Sequence, residues 1–251
     1  MQGKYGNWQG WQQYFANRGD RPLPELDTSE DYSHLPESVA RSLAIFQLGE
    51  SGGGTVIEQA RCSELPGLDD HYADSMALFV KEEHRHANML AICVRMLRGT
   101  LIRRNWTAKL FIVARRLMGL RLKVLVLLAA EVVGLCYYQL LASRLPSCRI
   151  RSMLTQIVED ERSHLYFHCA FLRSQTQHVW QGALFVAVWR ITMLVAAIAV
   201  IIDHRAAIRD LGLDVGVVWQ RWMSFSRLAE QLVTDPAAAD EYPLTSQPIC
   251  V

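Results

Sequence analysis

The chain has 251 residues, 51% of them hydrophobic, which is enough for one sizeable core. Lys and Arg (26) nearly balance Asp and Glu (25), so nothing in the charge suggests a nucleic-acid partner. The six cysteines (Cys62, Cys93, Cys136, Cys148, Cys169, Cys250) form no Cys-x-x-Cys pair, which fits reduced thiols and argues against a disulfide scaffold or a zinc site.

Residues 1–36 are polar and broken by Pro22, Pro24 and Pro36. They predict an irregular segment whose aromatic cluster, Trp8, Trp11, Tyr14 and Phe15, packs on the domain. The opening residues lack the basic-then-apolar pattern of a signal peptide, so a cytoplasmic location is expected. From Glu37 to about Cys62 the periodicity predicts a first helix, with Leu43, Phe46, Glu50 and Ile57 on one stripe. Pro66 and Gly67 break it. Asp69 or Asp70 then caps a second helix that reaches Leu97 and places Met76, Phe79, Glu83, His86, Leu90 and Cys93 on one face.

Residues 101–145 predict a connection followed by a third helix, with Glu131 set in the apolar run VLVLLAAEVVGLCYYQLLA. After Pro146 a fourth helix to about Gln175 aligns Ile150, Leu154, Ile157, Glu161, His164 and His168. A fifth helix, Val179 to Ile202, is strongly apolar, and Val217 to Leu232 forms a sixth. The tail, 234–251, reads as disordered. The chain is therefore expected to be all-α, with one helical domain over 37–233 and extra helices at 179–233.

Two short strings repeat the same chemistry: Glu83-His84-Arg85-His86 and Glu161-Arg162-Ser163-His164. Residues three apart share a helix face about 5–6 Å apart, so each string can aim a carboxylate and an imidazole at one metal. Glu50 and Glu131 complete a set of four carboxylates and two imidazoles, the ligand set of a dinuclear centre between helices. Glu131 carries the most weight, because a lone carboxylate in so apolar a run is costly without a partner. Iron or manganese suits such mixed oxygen and nitrogen donors.

The order Glu50, Glu83-x-x-His86, Glu131, Glu161-x-x-His164 resembles the ferritin-like di-iron carboxylate proteins over residues 37–175. EEHRH (82–86) and DERSH (160–164) are similar to the EExRH and DExRH strings of soluble acyl-carrier-protein desaturases. The compact size and Gly49-Glu50 are closer to the aldehyde-deformylating oxygenases. The second Glu-x-x-His departs from ferritin, and the rubredoxin-type cysteines of rubrerythrin are missing. The resemblance implies a ferritin-like four-helix bundle with additional C-terminal helices. It also implies Glu50, Glu83 and His86 on one iron, Glu131, Glu161 and His164 on the other, and Glu83 and Glu161 as bridges. A metal-bound imidazole usually gives its other N–H to a carboxylate, so Asp160 is expected to orient His86, and Glu82 to orient His164. His168 lies on the same face, as a seventh ligand, as a donor to the ligands or, the better fit, as a core histidine with its bonds satisfied. Tyr137 and Tyr138 could bond a ligand or carry redox chemistry, with ordinary packing the better fit.

The glycine run Gly52, Gly53 and Gly54, read as helix interior, and Gly134 are expected to leave space for a substrate or to serve close helix packing. The implied function is an oxygen-activating di-iron oxidase or oxygenase acting on a hydrophobic small molecule, or one held on a carrier. Hydroxylation, desaturation, N-oxygenation and aldehyde cleavage are all open. Two iron ions would be the cofactors and dioxygen the cosubstrate, with manganese–iron and dimanganese as alternatives. An external ferredoxin- or reductase-like donor would supply electrons. Two other functions stay open: an iron- or peroxide-handling protein of the ferritin or rubrerythrin kind, and a metal-free helical module on a membrane surface. The basic stretch 101–123 is the candidate contact for a membrane or an acidic carrier, and a homodimer is compatible with the chain. The fifth helix is expected to be buried on the bundle flank, since Arg190 near its middle would be costly in lipid.

Overall fold

Glycine, proline and short polar side chains cut the chain into helices, and among the described residues every regular element is helical. A computed structural model describes residues 7–26, 30–52, 54–116, 119–146 and 148–235. Gly53 and the tail from 236 onward lie outside them, so the expectations placed there rest on sequence alone.

The segment expected to be irregular contains helix α1, Trp8–Arg18. Asn7 caps it by accepting from the Gly10 N–H, and Trp8, Trp11 and Phe15 recur at helical spacing to make one buried face. The Trp8 indole donates to the Gly67 carbonyl at 2.7 Å, and the Trp11 and Phe15 rings pack on Phe167. The first predicted helix is in fact two, α2 (Glu37–Glu50) and α3 (Gly54–Arg61). Gly52 lies in the break between them and Gly54 opens α3, so neither is a helix interior, as the entropy cost of glycine within a helix favours.

Helix α4 (Asp70–Met96) begins where Asp69 accepts from the Tyr72 N–H at 3.0 Å. It ends through Arg98, which takes a positive φ, and Gly99, whose N–H reaches the Val94 carbonyl. A Cβ on Gly99 would lie 2.6 Å from the Ala40 side chain, so this close crossing requires glycine. The expected connection after residue 101 contains a helix of its own, α5 (Trp106–Arg116), capped by Asn105. Helices α6 (Leu120–Arg144) and α7 (Arg149–Ser174) form the most extensive pairing in the molecule; α2 packs on α4, and α4 faces α7.

Helices α8 (Val179–Asp210) and α9 (Val215–Thr234) cover α6 and α7. Here the expectation of a buried helix is corrected. Phe185, Trp189, Met193, Ala197 and Val200 of α8 are buried, but Trp180 and Ile191 are each 64% exposed, with Leu184, Val195, Ile198 and Ile202 beside them. An apolar sequence on all sides gives no periodic signal to distinguish the two faces. Arg190 is exposed and pairs with Glu230 of α9 through two contacts, at 2.7 and 3.0 Å. By length and composition α6 and α8 are both apolar enough to cross a membrane; α6 is mostly buried in the protein.

Candidate metal centre

The i, i+3 spacing on α4 and α7 turns both Glu-x-x-His pairs toward one interior space. Glu83, His86, Glu161 and His164 are all buried, and one potential ligand atom from each lies within 4.8 Å of the others. These four residues could hold a metal ion.

The two imidazoles are oriented alike. His86 Nε2 lies 3.2 Å from Asp160 Oδ2, and His164 Nε2 lies 3.0 Å from Glu82 Oε2. Each acid therefore sits on the opposite helix from the histidine it meets. With Nε2 engaged, each Nδ1 turns inward. His86 Nδ1 is 3.2 Å from Glu161 Oε1 and 3.6 Å from Glu83 Oε1. His164 Nδ1 is 2.9 Å from Glu83 Oε1, 3.3 Å from Glu161 Oε2 and 3.6 Å from Glu131 Oε2. Glu83 and Glu161 thus each face both imidazoles.

Glu131 enters from α6 and also approaches His168 Nε2 at 3.5 Å. Glu50 closes the group from the end of α2, where the Tyr138 hydroxyl donates to its Oε1 at 2.9 Å. Glu50 is half-buried and the other three inner carboxylates are buried.

Burial and mutual repulsion set the protonation of this group. Glu161 is pushed up to about 8 by burial and by the carboxylates of Glu131 and Glu83. Glu50 is raised well above the carboxylate range by burial, with Glu83 and Glu161 adding to it. Burial also works against charge on Glu83, but the neighbouring imidazoles of His164 and His86 outweigh it and hold that carboxyl low. The imidazoles of His86 and His164 are raised in spite of burial, because carboxylates surround them.

The donor set fits a cation on observations of this structure. Glu83 Oε1 and His86 Nδ1 are buried beside ion-pair neighbours but in no aligned hydrogen bond, which is expensive in an apolar interior. They point into a space shared by several oxygens, where a metal would satisfy them. His168 has no hydrogen bond at either ring nitrogen, so it is not the satisfied core histidine of one sequence reading. Burial and the charge of His164 lower its pKa to about 3, leaving a neutral imidazole against Phe79.

Two arginines outside the motifs and one inside the first balance the outer acids. Arg21 donates to both oxygens of Asp160, at 2.9 and 2.7 Å, and to Glu82 at 3.0 Å. Arg18 also bonds Asp160. Arg85, inside the first motif, lies 3.8 Å from Asp160 and donates to the Arg21 and Pro22 carbonyls. Burial alone would raise Asp160; His86 and Arg21 instead hold it well below the usual range. Arg18 and Arg21 gave no sequence signal, because they lie far from both motifs along the chain.

Beside the inner carboxylates is a cavity of about 100 Å³, walled by Phe46, Val56, Val80, Leu127 and Val200 and touched by Glu50, Glu83 and Glu131. Gly52 lines it. Gly134 does not: its missing Cβ makes room for the Tyr138 ring, 3.3 Å from where that atom would be. Gly54 starts α3. Comparison with protein-family models, with curated proteins and with solved structures returned no match.

Proposed function

We propose that the chain is a ferritin-like di-iron oxidase or oxygenase, with α2, α4, α6 and α7 as its metal-bearing bundle. Glu50, Glu83 and His86 would hold one metal, and Glu131, Glu161 and His164 the other. The observation that carries this reading is the paired arrangement of the imidazoles. Both Nε2 atoms are fixed by buried carboxylates, and both Nδ1 atoms face Glu83 and Glu161, as two bridging carboxylates require. Iron held in this way supplies dioxygen activation for oxidising C–H, N–H or aldehyde carbon.

The remaining chemistry belongs to the protein. Glu82 and Asp160 fix the imidazole tautomers, and Arg18 and Arg21 compensate the charge of those two acids. Tyr138 steers Glu50, the only half-buried carboxylate of the inner set, at the cavity wall. Phe79 and Phe15 stand against His164 and keep water from that side. The apolar cavity supports an organic substrate over plain iron storage, and an external ferredoxin- or reductase-like donor would deliver electrons.

Metal analysis after anaerobic loading with ferrous iron tests the centre, with about two irons per chain expected. Background iron would refute it. Single turnover with dioxygen and a panel of small hydrophobic compounds then tests the oxidase. Ferrous oxidation with no organic product across the panel would instead favour the iron-handling function.

A further inference from the structure

The cavity has a polar wall that the metal centre does not use. His204, on the buried side of α8, lines it opposite no motif of the sequence. Its Nδ1 lies 2.7 Å from Ser42 Oγ on α2, and Ser42 Oγ lies 2.5 Å from the Tyr137 hydroxyl on α6. All three side chains are buried, and the Phe46 ring packs on the His204 and Tyr137 rings at 4.6 and 4.9 Å.

The direction of this relay follows from its end. Among the described residues, Ser42 is the one hydrogen-bond partner of the Tyr137 hydroxyl. A buried phenol with a single partner loses least by donating, since an idle O–H carries a desolvation cost. Tyr137 then donates to Ser42, and Ser42 has its own hydrogen left for His204 Nδ1. Burial pushes the His204 pKa down to about 4, so the imidazole is neutral and its one N–H sits on Nε2. No described residue engages Nε2, and His204 meets the cavity.

We infer that His204 Nε2–H is the recognition point for an uncharged carbonyl oxygen, of the ketone or amide kind, on a small apolar molecule bound in this cavity. That this molecule is the substrate rests on the oxidase reading above; the binding site itself does not. A carboxylate is the poorer fit, because the donor is neutral and Glu50, Glu83, Glu131 and the adjacent Asp203 are acidic. At about 100 Å³ the cavity is about two-thirds of the roughly 150 Å³ that accommodates six-carbon benzene, which sets the ligand at about four non-hydrogen atoms.

Two measurements test this on the full-length protein, loaded with zinc to keep it diamagnetic. Nitrogen-15 spectra of histidine-labelled protein, assigned with His204→Phe, should show His204 as the Nε2–H tautomer; the Nδ1–H tautomer would overturn the proposal. Titrations with acetone and with isobutene, which has the same shape without the oxygen, should favour the ketone about three- to tenfold. His204→Phe should abolish that preference, and Ser42→Ala, a smaller change, should weaken it. Equal binding of the two probes, no detectable binding of acetone, or a preference that survives both substitutions would each refute the site. Iron content of the same variants, unchanged if His204 serves recognition alone, keeps failure of the site distinct from failure of the metal centre.

Discussion

On α4 and α7 the carboxylates and imidazoles of Glu82, Glu83, His86, Asp160, Glu161 and His164 are buried, whereas α8 carries Trp180, Leu184, Ile191 and Ile198 in the open. The first pair of helices inverts the usual rule for charge, and the last helix inverts it for apolar groups. The two inversions differ in kind. Each buried acid on α4 and α7 meets an imidazole or a guanidinium, so the cost of desolvation is offset inside the molecule. The exposed stripe of α8 has a buried counterpart on the same helix and owes the fold little.

The sharpest way to break this comparison is at Glu131, the most isolated acid in sequence terms. Glu131→Ala should reduce iron from about two per chain to less than one while circular dichroism stays helical; retained iron would remove that residue from the centre. Trp189, buried on α8 with its indole donating to the Ser226 carbonyl, should cost about 3–5 kcal/mol on change to Ala, read by denaturant unfolding. The buried side of α8 should titrate in the opposite sense to His86 and His164, whose imidazoles are raised. His204 is depressed in the folded state, so the unfolded chain takes up the proton first. Stability should then fall as pH drops from about 6.5 towards 4, by on the order of 3 kcal/mol. Unfolding of His204→Phe over the same window should lack that contribution.

Smaller effects sharpen the contrast. Asp160→Asn keeps the shape but removes the charge that holds His86, and should weaken metal affinity about 10–100-fold in a competition assay with a chelator. At the other end, Ile191→Asn on the exposed stripe should change unfolding free energy by less than about 0.5 kcal/mol. A cost near that of Trp189→Ala would mean the stripe is covered.

The two motif strings were legible because i, i+3 spacing on a helix is a local property, and the acid preceding each glutamate proved to lie beside the opposite histidine. The Asp69 cap was legible for the same reason. What the sequence hid was non-local. Nothing near Arg18 or Arg21 marks them as partners of Asp160. The faces of α8 could not be told apart, since both are apolar. At Gly134 substrate space and close helix packing both stayed open, because the pattern cannot show that the Tyr138 ring takes the place. The break at Gly52 was misread as helix interior because Leu43, Phe46, Glu50 and Ile57 keep a helical stripe across it.

The arginines of the N-terminal segment have a consequence for the order of events during synthesis. Arg21 is 61 residues ahead of Glu82 and 139 ahead of Asp160. A nascent chain that has just released α4 holds Glu82 without His164 to receive it, and the arginines meet only half of their acids. The charges of the centre can be balanced only after α7 has emerged, so its interior closes late, as contacts of long sequence separation do.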